Sequence, residues 1–164
     1  MNSQATLEAI RHQEAALTLP AFSHNIAWQI GSLARDLAQQ RGLVLGIQVR
    51  RAADPVFLTL IDGMVPNALN WLRRKSNTTL LFDRSTYGLN LHLAAKDQTL
   101  ARHALNDADY ASDGGGFPLR VQHAGTVGTL AISGLDQRSD HEFAVEVLCL
   151  HLHIDYATLA LPAL

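Results

Sequence analysis

The chain has 164 residues, 48% of them hydrophobic and 17% charged, with a formal net charge of −2. That length makes one domain that buries roughly two-thirds of the surface its unfolded chain exposes, with no need of a staple. The single cysteine, Cys149, excludes a disulfide framework, and the absence of a long Lys/Arg run excludes nucleic acid as a partner on electrostatic grounds.

Leu7, Ile10 and Leu17, with Pro20 beyond them, predict a short amphipathic helix over residues 3–16. Residues 1–18 thus read as an N-terminal helical extension of a single domain spanning 1–164. Glu8, His12 and Glu14 interrupt what a signal peptide needs as a continuous apolar core, and no later stretch reaches the ~20 apolar residues of a membrane span. A cytoplasmic chain with no membrane contact is expected. Ser23 is a candidate N-cap for a second helix, whose apolar positions Ile26, Ala27, Ile30, Leu33, Ala34, Leu37 and Ala38 keep helical spacing up to Gly42.

Leu43, Leu45, Ile47 and Val49 then alternate with Val44, Gly46, Gln48 and Arg50, the period of a strand with one face more apolar than the other. Ala52-Ala53-Asp54-Pro55 punctuates it, and Val56 to Ile61 resumes an apolar run, so the two form an antiparallel hairpin. Pro66 suits the first turn of a third helix with Ala68, Leu69, Trp71 and Leu72 on its core side, extended by Arg73, Arg74 and Lys75 and finished by Leu80-Leu81-Phe82. Ser85-Thr86-Tyr87-Gly88 reads as a loop, and Leu89 to Leu105 has helical spacing with polar breaks. After Gly114-Gly115-Gly116, a strand over residues 117–123, a turn and a strand over 127–133 make a second hairpin. Ser139 with Glu142 forms a capping-box pattern, which starts the last helix at Asp140 and carries it past Leu148. Leu148, Leu150, Leu152 and Ile154 also alternate as a strand would. As a helix this segment is apolar nearly all round and must be buried, a subunit interface being one way to do so. Cys149, in that apolar run, reads as a small buried hydrophobe. The order of elements predicts an α/β (α+β) fold with one antiparallel sheet and helices packed on it.

Three places gather residues that carry chemistry. Gly114-Gly115-Gly116 offers backbone N–H groups to an anion or simply makes a tight loop into the strand. Asp140 and His141 lie at the positive end of the last helix, where a neutral imidazole serves as a base or a metal ligand, or else first-turn electrostatics accounts for Asp140 and local hydrogen bonding for His141. Arg73-Arg74-Lys75, one turn after Trp71, pairs with a ligand carboxylate or phosphate or else forms a solvated face. His151 and His153, two apart, fall about 200° apart on a helix and so cannot chelate together. No HExxH or Cys/His zinc spacing occurs, so no metal is predicted. Ser133 lies in Ser-Gly-Leu without the G-x-S-x-G elbow of a serine hydrolase.

Asn70-Trp71-Leu72-Arg73-Arg74-Lys75, Gly115-Gly116-Phe117-Pro118, Gly125-Thr126-Val127-Gly128-Thr129-Leu130, Ser133-Gly134-Leu135 and Asp140-His141, in this order and spacing, resemble the UPF0303 family. That group lies within the wider set related to the haem-degrading HbpS and GlcG proteins. The resemblance covers residues 19–148; Asp136 stands where a proline is expected after Ser-Gly-Leu, and Thr86 where a second serine is usual. It implies a profilin-like fold and assembly into a homodimer or larger oligomer, and makes haem a possible cofactor. Joined in one cleft, the motifs would bind a small anionic ligand, haem-related or another carboxylate, through Arg74, Lys75, Gly115, Gly116, Phe117 and Ser133. In the alternative of an enzyme, His141 is the general base or a metal ligand held by Asp140, and Arg74 stabilises developing negative charge. In a structural or partner-binding oligomer the same residues serve folding and assembly with no ligand.

Overall fold

The computed structural model describes residues 3–163. It contains the helices α1 (Ser3–Ala16), α2 (His24–Gln40), α3 (Ala68–Phe82), α4 (Thr86–Ala94) and α5 (Gln137–Leu152). Its strands are β1 (Thr18–Leu19), β2 (Gly46–Arg51), β3 (Asp54–Leu60), β4 (Gly116–Val121) and β5 (Gly125–Ser133). The strands form one sheet in the order β1-β4-β5-β2-β3. Its four long strands pair antiparallel, as expected, and the two-residue β1 adds a parallel edge on β4 that no local pattern announced. Among the described residues no helix is long and apolar enough to cross a membrane.

Strand alternation sorts the side chains into two unlike faces. Ile47, Val49, Phe117, Leu119, Leu130 and Ile132 point to one side, where Ala27, Ile30, Ala34 and Ala38 of α2 and Phe143, Ala144, Val147 and Leu148 of α5 close the hydrophobic core. Small alanines let α2 approach closely, and Phe57 of β3 lies so near Gly31 that a β-carbon there would meet its ring at 2.3 Å. α5 is therefore buried within its own chain, with Cys149 fully enclosed in the same core. The opposite face carries Gln48, Arg50, Thr129 and Ser133, and α3 covers it with Lys75, Ser76 and Thr79, all of them buried. A sheet with one apolar and one polar buried face is the frame of the site.

Several boundaries differ from expectation for identifiable reasons. Residues 85–88 are no loop: Ser85 Oγ accepts the Gly88 N–H and caps α4, whose first turn uses the turn-forming residues Thr86 and Gly88. The helical spacing after Leu89 ends at Ala94 and resumes only as a short 3-10 turn, Leu100–His103. α5 begins at Gln137, because Asp136 accepts the N–H groups of Arg138 and Ser139 and is the N-cap. The proposed capping box does not form. Ser139 donates to Asp136 Oδ2, and Glu142 turns away to accept from Tyr156 and the Leu161 N–H. The alternating tail of α5 is helical to Leu152, where His153, at φ 56, ends it. Leu69 is exposed and Trp71 only half-buried, so neither joins the core.

Candidate ligand site

On α3, Leu72, Lys75, Ser76 and Thr79 recur at helical spacing and turn one stripe toward the sheet. The stripe brings Lys75 against the start of α5. Lys75 is 3% exposed and Asp140 2%. The Lys75 Nζ donates to Asp140 Oδ2 and to the Ile132 carbonyl, each at 2.9 Å, and the Leu135 N–H donates to Asp140 Oδ1 at 3.0 Å. Burial pushes the Asp140 carboxyl above the usual carboxylate range, and the Lys75 ammonium and the Leu135 N–H oppose that rise. A buried pair of this kind holds only while both members are present, since either one alone is an uncompensated charge away from water.

The glycine run packs against this pair. Gly115 has φ +121, and a β-carbon there would stand 2.3 Å from the Ile132 carbonyl oxygen and 2.9 Å from Lys75 Nζ. Gly116 lies as close to Thr79, and its N–H donates to Thr86 Oγ1 at 2.9 Å. The run thus serves close approach rather than an open nest of N–H groups.

Above the ion pair opens a cavity of about 290 Å³. Lys75 and Asp140 lie at its base, with Trp71, Asn67, Ser133 and Gln137 on its walls and Val65 and Leu135 at its mouth. The first turns of α3 and α5 both border it, so two positive helix ends converge there, opposed by the carboxylates of Asp113 and Asp140. The Arg74 guanidinium stacks 4.5 Å from the Trp71 ring and holds the indole, with its Nε sealed from solvent and without a hydrogen-bond partner among the described residues.

Of the residues singled out in the sequence, Lys75, Ser133 and Asp140 line this cavity, and Gly115 supports it from behind. Arg74, Gly116, Phe117 and His141 do not line it. Successive helical residues point about 100° apart, so Asp140 and His141 diverge. His141 enters the core, fully buried between Tyr87 and Phe117, with its Nε2 2.8 Å from Gln13 Oε1 of α1. Burial, with the nearby Arg138 charge, depresses its pKa to about 3. Asn67, Asp113 and Gln137 were not singled out, because each sits at a helix start or in a loop where such residues serve local structure. Trp71, which helical spacing places on the core side of α3, lines the cavity instead.

A second groove of about 680 Å³ runs between α2 and the end of α5. Trp28, 61% exposed, and Leu150 form its apolar part, and His151 and His153 border it together. The helical argument that separates these two histidines fails because His153 has left the helix through its positive φ. Partial burial, and the neighbouring His153, lower the pKa of His151. No group of three or more His, Cys, Asp or Glu among the described residues is placed to hold a metal ion.

The family model described as haem degrading protein HbpS-like matches residues 22–149. A UPF0303 protein of Paraburkholderia phytofirmans is 47% identical over 156 residues, which cover 94% of each chain. Among solved structures, the crystal structure of the Ybr137w protein superposes with a TM-score of 0.82 at 23% identity, covering 91% of this chain and 89% of that one. The PduOC:heme complex superposes with a TM-score of 0.67 at 18% identity, covering 83% and 98%.

Proposed function

Since the chain belongs to the HbpS-like family, and within it to the UPF0303 group, we propose that it is a cytoplasmic, self-assembling module that binds a small carboxylate-bearing molecule in the Lys75 cavity. The observation that carries this is the convergence of two helix starts on a cavity with a buried ammonium at its base and an indole, braced by Arg74, on its wall. The ligand's carboxylate faces the helix starts and Lys75, and its apolar part lies on Trp71. The apolar side chains of Val65, Leu69 and Leu135 stand exposed on and beside α3 and give a second copy a surface to cover. A catalytic role for His141 with Asp140 and Arg74 has less support, since the imidazole is sealed beneath Gln13 and away from the cavity. The test is thermal melting with a series of carboxylates from acetate to indole-3-acetate. Indole-3-acetate should raise the melting temperature beyond acetate, and Trp71→Ala, at a half-buried position, should fold and lose that difference. The reading is wrong if the wild type shows no such difference or if the difference survives in Trp71→Ala.

Haem is the ligand named for one solved relative. The Lys75 cavity does not fit a ligated haem: it is small, and no histidine or cysteine lines it. The Trp28 groove fits better, with His151 or His153 to ligate the iron and Trp28 and Leu150 to cover the porphyrin. As a second reading, haem added to the protein should shift its Soret band away from the free-haem position, and the double substitution His151→Ala, His153→Ala should abolish the shift. An unchanged band in the wild type removes this reading and leaves the first untouched.

A further inference from the structure

The sheet face beneath α3 holds a charge that the cavity does not use. Arg50, 7% exposed, projects from β2 and donates from Nε to Gln48 Oε1 at 2.8 Å and from Nη1 to Asn77 Oδ1 at 3.0 Å. Both acceptors are neutral amides. The other buried charges have opposite partners: Lys75 and Asp140 have each other, and Glu14 lies 3.9 Å from Arg120. None of the ion pairs among the described residues includes Arg50. A guanidinium stays protonated at any physiological pH, so it cannot escape burial by losing its charge, and an ion so placed requires a counter-charge.

No carboxylate among the described residues bonds Arg50: Asp109, whose backbone carbonyl accepts from Asn77 Nδ2, gives its carboxylate to Arg73 instead. The charge whose field reaches it is that of Arg73, another cation, and burial together with that repulsion pulls its pKa below the ordinary guanidinium value. Arg73 itself is held by Asp109 at 2.9 Å in a solvent-exposed pair. Across the β2–β5 pairing Arg50 faces Thr129, whose buried hydroxyl has no partner among the described residues. Nη2 of Arg50 makes no hydrogen bond within the described residues, yet it is not among the polar atoms sealed from solvent.

We propose that Arg50 anchors a second site, which takes the phosphate or carboxylate group of a small molecule from solution on its free Nη2 edge, with Arg73 beside it. This site is separate from the Lys75 cavity. Gly46, the partner of the cavity residue Ser133, lies four residues from Arg50 along β2, roughly 13 Å at strand spacing. Binding there adds the missing negative charge, and Nη2, the nitrogen that Gln48 and Asn77 leave free, offers its N–H groups to the oxyanion in a charge-assisted hydrogen bond.

The experiment is thermal melting of the full chain in chloride, acetate and inorganic phosphate at matched ionic strength. The wild type should gain about 3 °C or more in saturating phosphate or acetate over chloride. Arg50→Gln should lose this gain and, freed of an unpaired charge, melt no lower than the wild type in chloride. Trp71→Ala, altered in the other cavity, should keep the phosphate gain. Should Arg50→Gln fail to fold, the side-chain amide resonances of Asn77 in the wild type decide, since phosphate must displace them. Equal gains in wild type and Arg50→Gln, no gain beyond chloride, or unmoved Asn77 resonances overturn the proposal. So does an oligomer that Arg50→Gln dissociates and phosphate leaves unaffected, which would place the counter-charge on a second copy of the chain.

Discussion

Lys75→Ala is expected to lower stability by about 3–5 kcal/mol, the cost of leaving a buried carboxylate without its cation. For a chain of this length that is a fall in melting temperature of about 10 °C. The geometry explains the size of the effect. Lys75 Nζ bonds both Asp140 and the Ile132 carbonyl, and Asp140 in turn accepts the Leu135 N–H, so one truncation leaves a carboxylate and a backbone carbonyl with unmet partners. Asp140→Leu alone should cost a comparable amount by stranding the ammonium. The double substitution Lys75→Met, Asp140→Leu should recover much of the loss, because two apolar side chains of similar size need no partner. Chemical denaturation of the four proteins gives the coupling between the two positions directly. A Lys75→Ala variant that melts within about 2 °C of the wild type would mean that the pair is solvated like a surface salt bridge, worth at most about 1 kcal/mol.

This pair also marks the limit of what the sequence conveys. Where a structure repeats locally, its pattern was readable: α2 shows helical spacing, a Ser23 cap and Gly42 at φ +64 past its end, and both hairpins show alternation broken by turns. Alternation along β2 separated Ile47 and Val49 from Gln48 and Arg50, but it could not tell that the polar side is buried beneath α3 rather than wet. Lys75 and Asp140 stand 65 positions apart, and no periodicity links them. Each was noticed for its type, and only the crossing of α3 over β5 makes them partners. The divergence of Asp140 from His141 is the converse case. Neighbours in sequence at a helix start looked like one functional pair, while the helical rotation sends one to the cavity and the other to the core.

His141 in turn should make the fold acid-sensitive in a defined window. Its imidazole Nε2 meets Gln13 Oε1, while Nδ1 is buried with no partner among the described residues. Gln13 also donates to the Leu159 carbonyl, so it ties α5 and the C-terminal segment to α1. With Gln13 Oε1 as acceptor, Nε2 carries the proton, and charging the ring would add an N–H at Nδ1 where no acceptor exists, close to Arg138. The folded pKa is about 3 against an ordinary value of 6.5. The unfolded chain thus takes up a proton below about pH 6.5 that the folded chain refuses. The stability tied to the neutral ring is fully present above pH 6.5, falls as the pH drops through the window, and stops falling near pH 3. The slope approaches about 1.4 kcal/mol per pH unit, or roughly 5 kcal/mol over the whole window. Asp136, whose pKa is lowered by its bonds to Ser139, adds a loss of the same sign only below about pH 4. Asp140, held above the usual carboxylate range by burial, takes up its proton in the folded chain first and works against the decline, so the histidine effect is read as the difference between the wild-type and His141→Gln profiles from pH 7 to 4.5. His92 and His151 also have lowered pKa values but are only partly buried, and their contributions are smaller. Denaturation midpoints measured across that range should decline for the wild type and stay much flatter for His141→Gln, whose amide can still donate to Gln13 but cannot titrate. A wild-type profile that is flat between pH 7 and 4.5, or a His141→Gln profile with the wild-type slope, would show that the ring is charged or solvated in the fold and that Gln13 does not hold it neutral.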